Sequence, residues 1–107
     1  MKAPPRGEVW IVDLGLVAKI RPCAVISVPT EDSDRSLVTL VPHTTSVRGS
    51  RFEVAVQSRF LKPGAFDAQG IITVPHARLI RRIGLLAPVQ MQALENAVRA
   101  WLGIGDA

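Results

Sequence analysis

Two polar pairs border apolar, strand-like runs. Arg21-Pro22 precedes Cys23-Ala24-Val25-Ile26-Ser27-Val28, and His43-Thr44 follows Leu37-Val38-Thr39-Leu40-Val41-Pro42. Cleaving RNA without a metal needs a base for the 2′-hydroxyl, an acid for the leaving 5′-oxygen and positive charge for the phosphorane. A guanidinium, an imidazole and a hydroxyl can supply that set. Arg21 would stabilise charge and serve as an acid, Thr44 would orient a phosphate oxygen, and His43, with an unperturbed pKa near neutrality, would shuttle a proton. Plainer readings stand beside these: Arg21 caps the fold through an ion pair, and His43 is a satisfied polar residue. His76 is the weaker candidate of the two histidines.

Other chemistries have no legible signature. The chain shows no Gly-rich phosphate loop, no zinc-ligand spacing and no Ser/His/Asp arrangement, and two histidines without cysteine pairs make a poor metal site. No metal or cofactor is therefore expected. Cys23 is the sole cysteine, which excludes an intramolecular disulfide, and its apolar neighbours suit a small buried hydrophobe. No signal peptide or membrane-length apolar run is legible, so a cytoplasmic protein without a membrane partner is expected.

The elements that must position these residues come from a chain of 107 residues, enough for one domain (1–107) with a modest core. Hydrophobic residues make up 48% of it, so it folds rather than staying disordered. The net charge is +4, with ten arginines against three lysines, and favours a polyanion, whose phosphates match the guanidinium fork.

Residues 1–6 read as a proline-rich arm and 8–14 as a strand with Trp10 in the core. A short connection then predicts an antiparallel hairpin into a strand at 21–28, covered on both faces. Pro22 keeps Arg21 extended at the strand entrance. Residues 30–36 read as a solvated acidic loop, and strands are expected at 37–41, 52–57 and 71–74, with a short strand or turn at 79–84. Pro88 opens a helix that Gly103 stops, with Met91, Leu94, Val98, Trp101 and Leu102 on one face and Glu95 four residues before Arg99. Short strands under one helix predict a mainly β fold, a small barrel with a helical cover. Lys19 and the arginines 48, 51, 78, 81 and 82 would form its nucleic-acid face.

In order along the chain, Gly7-Glu8-Val9-Trp10-Ile11-Val12-Asp13-Leu14, Arg21-Pro22-Cys23-Ala24-Val25-Ile26-Ser27, Val41-Pro42-His43-Thr44-Thr45-Ser46 and Arg48-Gly49-Ser50-Arg51-Phe52-Glu53-Val54 resemble the successive blocks of the MazF/PemK toxins. The similarity runs from about Gly7 to the terminal helix. It implies an SH3-like barrel of the CcdB/PemK type, a homodimer, and a metal-independent ribonuclease that cuts single-stranded RNA, usually mRNA, at short sequences. It also implies a co-encoded antitoxin with an acidic, disordered tail in the RNA groove. The family's catalytic arginine and threonine fall on Arg21 and Thr44, with Thr45 one residue away. Ser46, Arg48, Arg51, Gln69, Arg78, Arg81 and Arg82, together with Lys19 and Thr45, are the expected RNA contacts.

Two stretches depart from the family. The loop before Arg21-Pro22 reads Gly15-Leu16-Val17-Ala18-Lys19-Ile20 in place of Glu-Gln-Gly, and the family's Asp-Gln appears as Asp67-Ala68-Gln69. Two other classes compete with the ribonuclease. One is a non-catalytic gyrase poison of the CcdB type, faintly echoed by Trp101-Leu102-Gly103-Ile104. The other is a barrel that binds nucleic acid without cutting it, although few aromatic residues are available for base stacking.

Overall fold

A computed structural model describes residues 2–15 and 19–105. Seven strands form among them: β1 (Glu8–Asp13), β2 (Ile20–Val25), β3 (Leu37–Thr44), β4 (Glu53–Ala55), β5 (Ala65–Asp67), β6 (Ile72–Pro75) and β7 (Leu79–Leu85). One helix, α1 (Pro88–Leu102), follows. The sheet is antiparallel in the order β4-β5-β3-β2-β1-β7, with β6 also on β3. Its outer strands β4 and β7 are not paired with each other, so hydrogen bonding does not close the sheet.

β1 and β2 form the expected antiparallel hairpin, Val9 opposite Ala24 and Asp13 opposite Ile20. β2 is covered on both faces. Ala24 joins Val9, Val41, Phe66 and the helix residues Leu94, Ala97 and Val98 in one core, whereas Cys23 and Val25 join Val12, Val38, Leu40, Val74 and Leu79 in another. Successive side chains of a strand point to opposite faces, so a run buried in two cores has to be apolar throughout.

β3 changes partners along its length. Leu37–Leu40 pair with β6, and His43 and Thr44 pair with β5. Pro42, which has no N–H to give a ladder, lies between the two sets. This change of partner turns the connection through Asp67–Gly70 across the end of β3.

Several elements differ from expectation. β2 stops at Val25: Ile26 still donates to the Thr39 carbonyl, but the Thr39 N–H goes to Ser27 Oγ and the Ile26 carbonyl accepts from Arg6 Nε. The 52–57 stretch keeps only Glu53–Ala55 as strand, and Ala65–Asp67, outside the expected strands, pairs with both β3 and β4. β7 is a full seven-residue strand along β1. Trp10 is half-buried, its indole N–H donating to Glu8 Oε1 at 3.1 Å. The arm is docked: Pro4 is buried, and Arg6 reaches the Ile26 carbonyl and Glu95. Glu95 thus pairs with Arg6 and not with Arg99.

α1 begins and ends as expected, with Pro88 in its first turn and Gly103 as a left-handed cap at φ 66°. Leu94 is fully buried, a burial worth about 2 kcal/mol. Trp101 and Leu102 continue the helical stripe past the edge of the sheet and stay exposed, with the Trp101 ring edge-on to Phe52. No described helix is long and apolar enough to cross a membrane.

Candidate functional site

β2 and β3 pair at Val25–Leu40, Ala24–Val41 and Cys23–Pro42, and there the ladder ends. Pro22 and Pro42 lack the N–H groups that would extend it. Continuing the same register sets Pro22 opposite His43 and Arg21 opposite Thr44. The strands separate at this end, and a cleft opens on each face.

Cleft one has a volume of about 360 Å³. Leu14, Arg21, Pro42, Thr44 and Ile72 line it, and each lies on the face of its strand that carries the Val12–Cys23–Leu40 core. This cleft is therefore the core continued past the end of the ladder, where apolar side chains give way to a cation and a hydroxyl. His43, Ser46, Arg48, Glu53, Asp67 and Gly70 complete it.

Cleft two, about 390 Å³, lies on the opposite face, with Ile11, Pro22, His43 and Thr45 at the alternate strand positions. Lys19, Lys62 and Arg81 make it basic, and Phe60, Leu61 and Ile83 supply apolar wall. Arg21 and His43 belong to both clefts.

Within cleft one the polar groups are fixed by their neighbours. Thr44 Oγ1 accepts the Ser46 N–H at 3.0 Å, which leaves its own hydroxyl proton to donate into the cleft. The Glu53 carboxylate folds the β3–β4 loop around itself, accepting from Arg48 N–H (3.0 and 3.2 Å) and Ser50 N–H (2.8 Å). The N–H of Arg48, then those of Ser50 and Gly49, hold the Glu53 carboxyl below its ordinary 4.5. With its lone pairs so engaged, Glu53 shapes the loop and is a poor proton acceptor.

His43 is buried against Phe66 in a T-shaped contact, centroids 5.2 Å apart, and its Nε2 has no hydrogen-bond partner among the described residues. Burial lowers its pKa below the ordinary 6.5, so the ring is neutral at pH 7. Gly64 packs beneath this pair. A Cβ there would lie 2.1 Å from the Thr44 carbonyl oxygen and 2.8 Å from His43 Cε1, so only glycine permits the approach.

The other expected site residues divide. Ser46 and Arg48 join Arg21, Thr44 and His43 in cleft one, and Lys19, Thr45 and Arg81 line cleft two. Arg51, Gln69, Arg78 and Arg82 line neither. Arg51 lies 4.6 Å over the Phe52 ring, Arg78 faces Asp13 at 3.6 Å, and Arg82 pairs with Glu8 at 2.8 Å. Gln69 is exposed on a single turn of 3-10 helix whose cap is Asp67. The single arginine face expected is thus dispersed: Arg81 and Arg82 are adjacent on β7 and point to opposite sides of the sheet, and Arg48, Arg51 and Arg78 lie on other segments.

His76 is structural, its Nε2 donating to the Leu37 carbonyl at 3.0 Å. Cys23 is buried, its thiol pushed up to about 12 by burial, which outweighs the nearby Arg21 charge. Of the rewritten loop, residues 16–18 lie outside the described residues. Glu53, Asp67, Phe60 and Lys62 line the clefts without having been among the expected site residues; the signals for the two acids were the resemblance blocks that hold Glu53 and the displaced Asp67-Ala68-Gln69. Among the described residues no three His, Cys, Asp or Glu side chains gather as a ligand set.

Comparison with known proteins places this geometry. Over 98 residues, covering 89% of each chain, the protein is 29% identical to a probable endoribonuclease MazF5 of Mycobacterium tuberculosis. Its fold matches a mycobacterial endoribonuclease solved with its cognate antitoxin (TM-score 0.80, 26% identity, all of both chains). It also matches the M. tuberculosis toxin MazF-mt6 (TM-score 0.76, 28% identity, 92% of this chain and 99% of that one). These relatives do not favour a gyrase-directed role. Residues 5–102 match the model of the PemK-like, MazF-like toxins of type II toxin-antitoxin systems, and the chain belongs to that family.

Proposed function

We propose that this toxin cuts single-stranded RNA, mRNA included, at the end of the β2–β3 ladder, using Arg21, Thr44 and His43. The carrying observation is that all three line one cleft, Arg21 and Thr44 at positions that continue the β2–β3 register and His43 with a buried Nε2 that has no hydrogen-bond partner among the described residues.

In the reaction the 2′-oxygen bonds to the adjacent phosphorus and the P–O5′ bond breaks. A 2′,3′-cyclic phosphate forms on one fragment and a 5′-hydroxyl on the other. The neutral His43 ring suits acceptance of the 2′-hydroxyl proton more than donation. Arg21 supplies the charge that the phosphorane needs, its fork matches two phosphate oxygens, and it gives the leaving 5′-oxygen its proton, regaining one from water. The Thr44 hydroxyl, already turned by Ser46, donates to a phosphate oxygen. Arg48 and Ser46 extend the contact on one face, and Lys19, Thr45 and Arg81 carry the strand along the other. Arg51, Gln69, Arg78 and Arg82 would meet RNA only outside the two clefts. The chemistry proposed needs no metal.

The whole chain is read as a single toxin domain, its bent sheet and helix forming an SH3-like barrel left open between β4 and β7. It would act in the cytoplasm as a homodimer. Cleft two, basic through Lys19, Arg21, Lys62 and Arg81, suits the acidic tail of a cognate antitoxin, in keeping with the antitoxin complex solved for a relative. The test is incubation with a long single-stranded RNA in EDTA beside an Arg21→Ala control, with the fragment ends sequenced. Discrete cuts lost in the control are expected. Intact RNA from folded protein would overturn the reading.

A further inference from the structure

Cleft one is chemically uneven. Arg21, Thr44, Ser46 and Arg48 suit a phosphate. Leu14, Pro42, Gly70, Ile72 and Asp67 do not, since a carboxylate repels phosphate and the others offer no side-chain donor. Apolar surfaces with one acceptor are what a nucleobase needs: its faces lie against hydrocarbon while its edge meets the hydrogen-bonding group.

Asp67 is held for that purpose. β5 pairs it with Glu53, and its Oδ1 accepts the Gln69 N–H at 3.0 Å, which fixes the carboxylate plane. Oδ2 has no partner among the described residues. It lies beside Gly70, where a Cβ would stand 3.5 Å from it and 2.9 Å from Pro42 Cγ. A side chain at position 70 would crowd that approach.

Glu53, the other acid of the cleft, is occupied by backbone N–H groups. Among the described residues Asp67 Oδ2 is therefore the carboxylate oxygen that the cleft's backbone leaves without a hydrogen-bond partner.

We infer that Asp67 is a specificity-determining residue: its Oδ2 accepts from the exocyclic amino group of a base adjacent to the scissile phosphate, so cytosine, adenine or guanine is taken there and uracil is disfavoured. A carboxylate only accepts, whereas the corresponding edge of uracil presents carbonyl oxygens on both sides of one N–H. The inference rests on the ribonuclease reading for the word scissile, but the base subsite is a separate matter of binding.

Two measurements on wild type and Asp67→Asn test it. The asparagine keeps an Oδ1 for the Gln69 N–H, so the turn is preserved, and places an amide donor where Oδ2 was. In the first, a randomised RNA is cut and the ends are sequenced. Wild type should disfavour uracil about tenfold at one position beside the cut, and Asp67→Asn should admit it there with the other positions unchanged. The same preference in both proteins would overturn the inference, as would a uniform loss of cutting with the motif intact.

In the second, 2′-O-methyl homo-oligomers of C, A, G and U, which lack the attacking hydroxyl, are titrated by fluorescence anisotropy. Weaker U binding by wild type, lost in Asp67→Asn, supports the subsite even if RNA is never cut, a result that would sink only the ribonuclease reading. Equal binding of all four by wild type overturns the subsite.

Discussion

The register of Cys23–Pro42, the last pair between β2 and β3, carried two residues further sets Arg21 opposite Thr44. Both face the side of the sheet that buries Cys23 and Leu40, so guanidinium and hydroxyl project into one cleft. Thr44→Val keeps the shape and removes both the acceptor for the Ser46 N–H and the donor. Loss of one oriented donor to a developing charge costs roughly 10²–10³ in rate. Single-turnover cleavage should fall by that order in Thr44→Val and by much less in Thr44→Ser, with Tm little changed in either.

Gly64 makes a prediction at a position that has no side chain to take part in the chemistry but packs against the residues that do. In Gly64→Ala the new methyl must displace the Thr44 carbonyl, which backbone pairing holds to β5. A misplacement of about 1 Å can cost on the order of a hundredfold in rate. Cleavage should drop steeply, and amide shifts in a ¹⁵N correlation spectrum should cluster on residues 43–46.

Glu53 ties stability to pH. Its folded pKa lies below its unfolded value near 4.5, so the unfolded chain binds the proton more readily and stability rises with pH through that interval. The contribution is complete above about 4.5 and vanishes as pH falls through the lowered folded pKa. The Tm gap between wild type and Glu53→Gln should accordingly be widest at neutral pH and close on acidification. A gap independent of pH would show that the carboxylate charge does not hold the loop.

His43 titrates in the same sense but higher. Its folded pKa is below 6.5 because burial disfavours the imidazolium, so its contribution to stability is present above the unfolded value and is lost as pH falls through the folded one. The ring proton resonances should therefore show a midpoint below 6.5. The acid limb of the cleavage profile should follow that midpoint and move in His43→Gln.

The identities of the reactive groups were legible in the chain because Arg21-Pro22 and His43-Thr44 border apolar runs, and local pattern alone marks where a strand begins or ends. The helix was legible for the same reason, since Pro88, the buried stripe and Gly103 act within a few turns. Pro4 and Arg6 were misread as a loose arm because what orders them, Ile26 and Glu95, is distant in sequence.

Tertiary structure decided how the charges were distributed. Arg78, Arg81 and Arg82 are near neighbours in sequence, yet Arg78, on the turn before β7, and Arg82 face carboxylates of β1 while Arg81 lines a cleft, because adjacent β7 positions paired to β1 face opposite sides of the sheet. Asp67 and Glu53 became site residues only when β5 inserted between β3 and β4. By itself the sequence determined the kinds of groups available and the strands that carry them, through interactions a few residues long. Which groups share a cleft follows from register between strands remote in sequence, and that register is set by the burial of two cores on opposite faces of one sheet.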